Sequence, residues 1–123
     1  MAKKILIIDD EKDLAEILKI RLVAVGYEVV CAHDGISGLE LAKSISPQLV
    51  ILDIMMPHLN GFAVCSLLKG NDQYRHIPII ILTARDEKND RLFSDDVKPE
   101  AFINKPFSAA VLLDKVRELI GRP

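Results

Sequence analysis

The chain has 123 residues, half of them hydrophobic, with 16 Lys and Arg against 18 Asp and Glu and a formal net charge of −2. That length suits one domain with its own core, so a single domain over 1–123 with no output module beside it is expected. Near-neutrality with no basic run beyond Lys3-Lys4 excludes an electrostatic footprint for nucleic acid or anionic lipid.

No apolar run approaches the roughly 20 residues of a membrane helix. Acids appear as early as Asp9, against a secretion signal. Cys31 and Cys65 form no CxxC and read as small apolar residues. A cytoplasmic protein without membrane contact is the expectation.

Short apolar runs alternate with amphipathic stretches along the chain. Lys4–Ile8 is an unbroken apolar run ending at Asp9, as expected of a strand covered on both faces. Leu14, Ile17, Leu18, Leu22 and Val25 then recur at helical spacing, and Gly26 stands where a left-handed cap belongs. Residues 27–32 predict a second strand and 36–45 a second helix, with Ile36, Leu39, Ala42 and Ile45 on one face before Ser46-Pro47 stops it. Residues 49–52 predict a third strand that also ends in an aspartate, Asp53.

Phe62, Cys65 and Leu68 mark a short third helix that gives out at Gly70-Asn71, and 78–82 predict a fourth strand stopping at Thr83. The fourth helix, over 86–97, has a poor pattern: Leu92, Phe93 and Val97 are its large apolar residues, and Asp95 and Asp96 oppose the dipole at its carboxyl end. Ala101–Asn104 predict a fifth strand before Lys105-Pro106. Ser108 caps a last helix striped by Val111, Leu112, Val116, Leu119 and Ile120.

Five strands alternating with five helices predict an α/β fold: a flavodoxin-like, doubly wound parallel sheet in order 2-1-3-4-5 between two helical layers. In that order the first and third strands are neighbours at the topological switch point. Asp9 and Asp10 then share a crevice with Asp53, and Thr83 and Lys105 end the next two strands on the same edge.

Carboxylates about 4 Å apart repel by about 4 kcal/mol per pair at an effective dielectric near 20, and one lysine cannot neutralise three. An all-oxygen set favours Mg²⁺, or Mn²⁺, over zinc. Mg²⁺ commonly fills its shell with phosphate oxygens, which points to phosphoryl chemistry. Asp53 is the candidate nucleophile, the acidic pair the metal anchor, Thr83 a hydroxyl donor and Lys105 a mobile cation. Each residue alone has an ordinary explanation, as cap, strand former or solvated lysine. Their joint placement at four strand ends does not.

At this point the chain resembles the receiver domain of two-component response regulators, from Lys3 to about Ile120. The resemblance rests on Ile7-Ile8-Asp9-Asp10-Glu11, on Leu52-Asp53-Ile54-Met55-Met56-Pro57-His58-Leu59-Asn60-Gly61, on Leu82-Thr83-Ala84 and on Phe102-Ile103-Asn104-Lys105-Pro106-Phe107. It implies that Asp53 accepts a phosphoryl group from a phosphohistidine on a sensor kinase or histidine phosphotransfer protein. It implies that Asp9 and Asp10 hold Mg²⁺ with Asp53 and the Met55 backbone carbonyl, and that Lys105-Pro106 is a cis peptide.

It further implies that Thr83 and Phe102 form a switch altering binding to a downstream protein, with phosphorylation-dependent dimerisation open, and that Met55 and Arg85 tune phosphoryl lifetime. Apolar Met55 is expected to lengthen that lifetime. Lys98-Pro99-Glu100-Ala101 departs from the Gly-Ala pair common before the aromatic switch, so the segment 86–99 is expected to be short, displaced or mobile.

The competing class is a Mg²⁺-dependent phosphohydrolase working through a phospho-aspartate. Such enzymes need a second acid two residues after the nucleophile, where this chain has Met55. A switch that assists only its own phosphorylation and dephosphorylation therefore leads, ahead of an inert scaffold, since every site residue is intact. His33, His58 and His76 match no metal spacing and read as surface residues.

Overall fold

The computed structural model describes residues 2–83 and 98–123. Five parallel strands, β1 (Lys4–Ile8), β2 (Glu28–Ala32), β3 (Leu49–Asp53), β4 (Ile79–Thr83) and β5 (Ala101–Asn104), form one sheet in order β2-β1-β3-β4-β5. Four helices are described: α1 (Lys12–Ala24), α2 (Gly35–Ile45), α3 (Gly61–Lys69) and α4 (Ala109–Ile120). The helix expected over 86–97, and most of the segment 86–99, lie outside the described residues.

The unbroken apolar strands are explained by two cores, one on each sheet face. Leu6, Ile8, Leu52 and Ile81 pack with Ala42 of α2 and with Val64, Cys65 and Leu68 of α3. Ile5, Ile7, Ile51 and Ile80 pack with Ala15, Leu18 and Leu22 of α1 and with Leu112 and Val116 of α4. Successive residues of one strand thus serve opposite helical layers, so both must be apolar.

The helices dock on smaller side chains than their periodicity predicted. Ile17, Ile36 and Val111, each expected in an inward stripe, are about half exposed, while the buried sets are Ala15, Leu18 and Leu22 in α1 and Gly35, Gly38 and Ala42 in α2. A parallel sheet holds its helices close, and small residues permit the approach. A Cβ at Gly38 would lie 2.6 Å from Ile8 Cδ1, so glycine there lets α2 settle against β1. Caps fall as expected: Gly26 takes φ 109° after α1, and Ser108 Oγ accepts from the Val111 amide.

One buried ion pair was not legible from the pattern. Lys69, at the end of α3, donates to Arg75 O at 3.0 Å, to Ile77 O at 2.9 Å and to Glu100 Oε2 at 2.6 Å. Glu100 Oε1 accepts from the Ile79 amide at 2.8 Å. The pair pins the entry of β5 to the entry of β4. Removing its buried ammonium orphans two carbonyls and a carboxylate. Lys69→Met is expected to cost about 2 kcal/mol in urea unfolding, against less than about 0.5 kcal/mol for Lys115→Met, whose pair with Glu118 is solvent-exposed.

Candidate functional site

The strand order brings the predicted acids together. Asp9 leaves β1 and Asp53 ends β3, and β1 and β3 are paired up to Ile8↔Leu52. Asp9, Asp10 and Asp53 each offer a carboxylate oxygen within 4.8 Å of the others. Asp9 and Asp53 are buried, at 0% and 2% exposure. Thr83, the buried last residue of β4, and Lys105, just past β5, complete the edge.

Lys105 Nζ lies 3.3 Å from Asp53 Oδ1, 3.5 Å from Glu11 Oε1 and 4.0 Å from Asp9 Oδ2. Glu11 is thus a fourth acid at the site to which the sequence reading assigned no role. The Lys105 amide donates to Thr83 O, and the Lys105–Pro106 peptide is cis. Asp9 Oδ1 accepts from the Glu11 amide at 2.9 Å, and Asp53 Oδ1 from the Met55 amide at 3.4 Å.

These bonds leave one oxygen over on each buried carboxylate: among the described residues, Asp9 Oδ2 and Asp53 Oδ2 have no hydrogen-bond partner. Burial raises the Asp9 pKa to about 6; the Glu11 amide works against that shift and the Asp53 charge adds to it. Burial also raises Asp53, opposed by Lys105. Burial works to lower Lys105, but the charges of Asp53, Asp9 and Glu11 outweigh it and hold the ammonium above its usual range. Two orphaned buried oxygens beside a third carboxylate fit a hard divalent cation such as Mg²⁺, which takes oxygen ligands.

The loop after β3 is held by close backbone packing. A Cβ at Gly61 would lie 2.4 Å from Asp53 O, and the Gly61 amide donates to Ile54 O at 3.1 Å. Sequence reading placed Gly61 in a motif without this reason for it. Met55, two residues past Asp53, is 62% exposed. Phe102 is half-buried and paired with Ile81, so by strand alternation it shares a sheet face with Thr83. Arg85 lies outside the described residues. His58 and His76 are exposed as expected, whereas exposed His33 turns its ring on the Asp9 carbonyl.

Beside the site, a groove of about 520 Å³ runs between α1 and the segment after β5, lined by Leu14, Ile17, Arg21, Lys105, Pro106 and Phe107. Lys105 belongs to both groove and crevice. Among the described residues, no helix is long and apolar enough to cross a membrane.

A doubly wound sheet carrying buried acids, a hydroxyl and a lysine at its switch-point edge defines a phosphoacceptor module of the flavodoxin-like class. The sequence profile of the response regulator receiver domain matches residues 5–117, and the chain belongs to that family, the receiver domains of two-component systems. It is 38% identical over 122 residues to response regulator MprA of Mycobacterium tuberculosis, covering 99% of this chain and 52% of that protein. The chain spans about half the length of the curated relatives it matches.

Among solved structures it resembles the chemotaxis protein CheY4 of Vibrio cholerae, with TM-score 0.88, 27% identity and coverage of 97% and 99% of the two chains. It also resembles the receiver domain of a Pseudomonas aeruginosa sensor histidine kinase, with TM-score 0.87, 26% identity and coverage of 98% and 99%. That structure has a magnesium ion coordinated in its active-site cleft.

The raised Asp9 pKa gives the metal-free chain a signed pH dependence. Between the unfolded value of 3.8 and about 6, the folded chain keeps a proton that the unfolded chain has lost, so stability falls as pH rises through that window. Solvent at the crevice mouth screens part of the cost. With chelator at pH 7.5, Asp9→Asn is expected to stabilise by about 1 kcal/mol in urea unfolding, an advantage that shrinks toward pH 4.

Proposed function

We propose that Asp53 is the phosphoacceptor, taking its phosphoryl group from a phosphohistidine on a sensor kinase or a histidine phosphotransfer protein. The observation that carries this reading is the buried Asp53 carboxylate beside a lysine and two further carboxylates, its Oδ2 without a hydrogen-bond partner among the described residues. An Asp53 carboxylate oxygen attacks phosphorus, the P–N bond to the imidazole breaks, and its electron pair stays on the departing nitrogen, giving an acyl phosphate. Lys105 neutralises charge on the transferring group, and the Thr83 hydroxyl donates to one of its oxygens.

Asp10, Asp53 and the Met55 backbone carbonyl, with Asp9 directly or through water, would hold Mg²⁺, and Mn²⁺ suits the same oxygen set. When bound, the ion supplies positive charge to the phosphoryl oxygens. The chain assists its own phosphorylation and dephosphorylation and turns over no external substrate. At the position where a phospho-aspartate hydrolase needs its second acid, Met55 presents an exposed thioether, which also fits a long-lived phosphoryl group tuned by Met55 and Arg85.

The shared face of Thr83 and Phe102 supports their role as a switch read by a downstream protein. The proposed role includes a cytoplasmic location, without direct contact with nucleic acid or membrane. With Mg²⁺ and a small phosphoryl donor, the intact parent is expected to gain the mass of one phosphoryl group and Asp53→Asn none. An unmodified parent overturns the reading.

In this reading the donor protein docks in the α1 groove, which is mostly apolar, shares Lys105 with the crevice, and is lined by Ile17 and Phe107. Ile17→Arg is expected to slow transfer from a phosphohistidine protein at least about tenfold while leaving the small donor's rate within about twofold, as fits loss of one apolar anchor. Equal slowing with both donors would remove the groove from the reading.

A further inference from the structure

The turn between β2 and α2 carries no residue of the acceptor set, yet it touches both acid-bearing loops. We infer that this turn is a brace setting the spacing between Asp9 and Asp53, with His33 and Gly35 as positioning residues. The inference rests on the reading of the acidic cluster as a Mg²⁺ site.

The strand ladder between β1 and β3 stops at Ile8↔Leu52, so it does not itself fix Asp9 and Asp10. The Asp9 backbone is held from the β2 side instead. Its amide donates to Ala32 O at 3.0 Å, and its carbonyl oxygen accepts from His33 Nδ1 at 3.1 Å. Both peptide groups of Asp9 are thereby oriented by consecutive residues, Ala32 and His33. The peptide that His33 grips is the one joining Asp9 to Asp10, so its tilt sets where both carboxylates point.

Two residues on, where the turn enters α2 at Gly35, the chain meets the second loop. A Cβ at Gly35 would lie 2.2 Å from Leu59 O and 3.0 Å from Leu59 Cβ. Gly35 has no positive φ, so contact, rather than backbone conformation, demands glycine there. Leu59 belongs to the loop that runs from Asp53 to Gly61, and Gly61 in turn lies against Asp53 O. A push at Leu59 is therefore delivered to the acceptor's backbone. Asp34, between the two contacts, caps α2 by accepting from the Ser37 amide at 2.7 Å and from Ser37 Oγ at 3.0 Å, which anchors the turn to a helix.

Three carboxylate oxygens within 4.8 Å suit a cation with short, nearly octahedral bonds only while both loops hold their places. Residues that orient metal ligands from outside commonly change affinity by about 10–100-fold. His33, being exposed, falls below that range and buried Gly35 within it.

Calorimetric Mg²⁺ titration of the parent, His33→Ala, His33→Asn, Gly35→Ala and a distant control, His76→Ala, tests the brace, with urea unfolding in chelator run in parallel. His33→Ala is expected to weaken Mg²⁺ binding about threefold and Gly35→Ala at least about tenfold. His33→Asn restores affinity, because its amide nitrogen can take the place of Nδ1. The His33 variants keep the parent's unfolding midpoint.

If the parent binds Mg²⁺ and His33→Ala and Gly35→Ala bind it equally well, the brace is refuted and the acceptor reading stands. If His33→Ala loses affinity only in step with stability, or Asn fails to rescue it, His33 is merely structural and the brace is again refuted. A parent that binds no Mg²⁺ overturns the acceptor reading and the brace together.

Discussion

Mutual repulsion among the Asp9, Asp10 and Asp53 carboxylates is the constraint around which the remainder of the molecule is arranged. Buried like charges spread apart unless the backbone that carries them resists. Here the resistance comes from a sheet whose central strands are apolar on both faces and pressed between two helical layers. The hydrophobic cores therefore do more than stabilise the chain. They hold the acids at close quarters against a repulsion that a divalent cation would relieve, a trade seen where stability is set against function.

Much of this was legible in the residues. Unbroken apolar runs of strand length cannot be surface strands, and two of them ending in aspartate place those aspartates side by side as soon as the sheet is taken to be parallel. The two cores, the strand order and the meeting of Asp9, Asp53, Thr83 and Lys105 on one edge all follow from that step. The receiver motifs agree with it residue by residue, and the family match over residues 5–117 covers the same stretch.

What stayed hidden has physical causes. Ile17, Ile36 and Val111 satisfied helical spacing, but periodicity scores size and polarity and is blind to how near the helix axis lies to the sheet. Where the approach is close, Ala15, Gly35 and Gly38 take the inward positions and the bulky neighbours turn out. Lys69 and Glu100 are ordinary charged residues in sequence, and only the fold shows that they meet across 31 positions. His33 looked like a surface histidine, and it is exposed. Its hydrogen bond to the Asp9 carbonyl depends on a turn geometry that no spacing rule encodes.

The contact between Gly38 and Ile8 has a further consequence. The space that a methyl group at 38 would need is filled by three carbons of the Ile8 side chain, and Ile8 stands directly before the first acid of the site. Volume can enter at one of these positions only as it leaves the other. In this chain the two positions share one volume, so bulk added at 38 calls for a smaller residue at 8. A substitution that changes either alone must cross a misfit lying one residue from the first acid of the site.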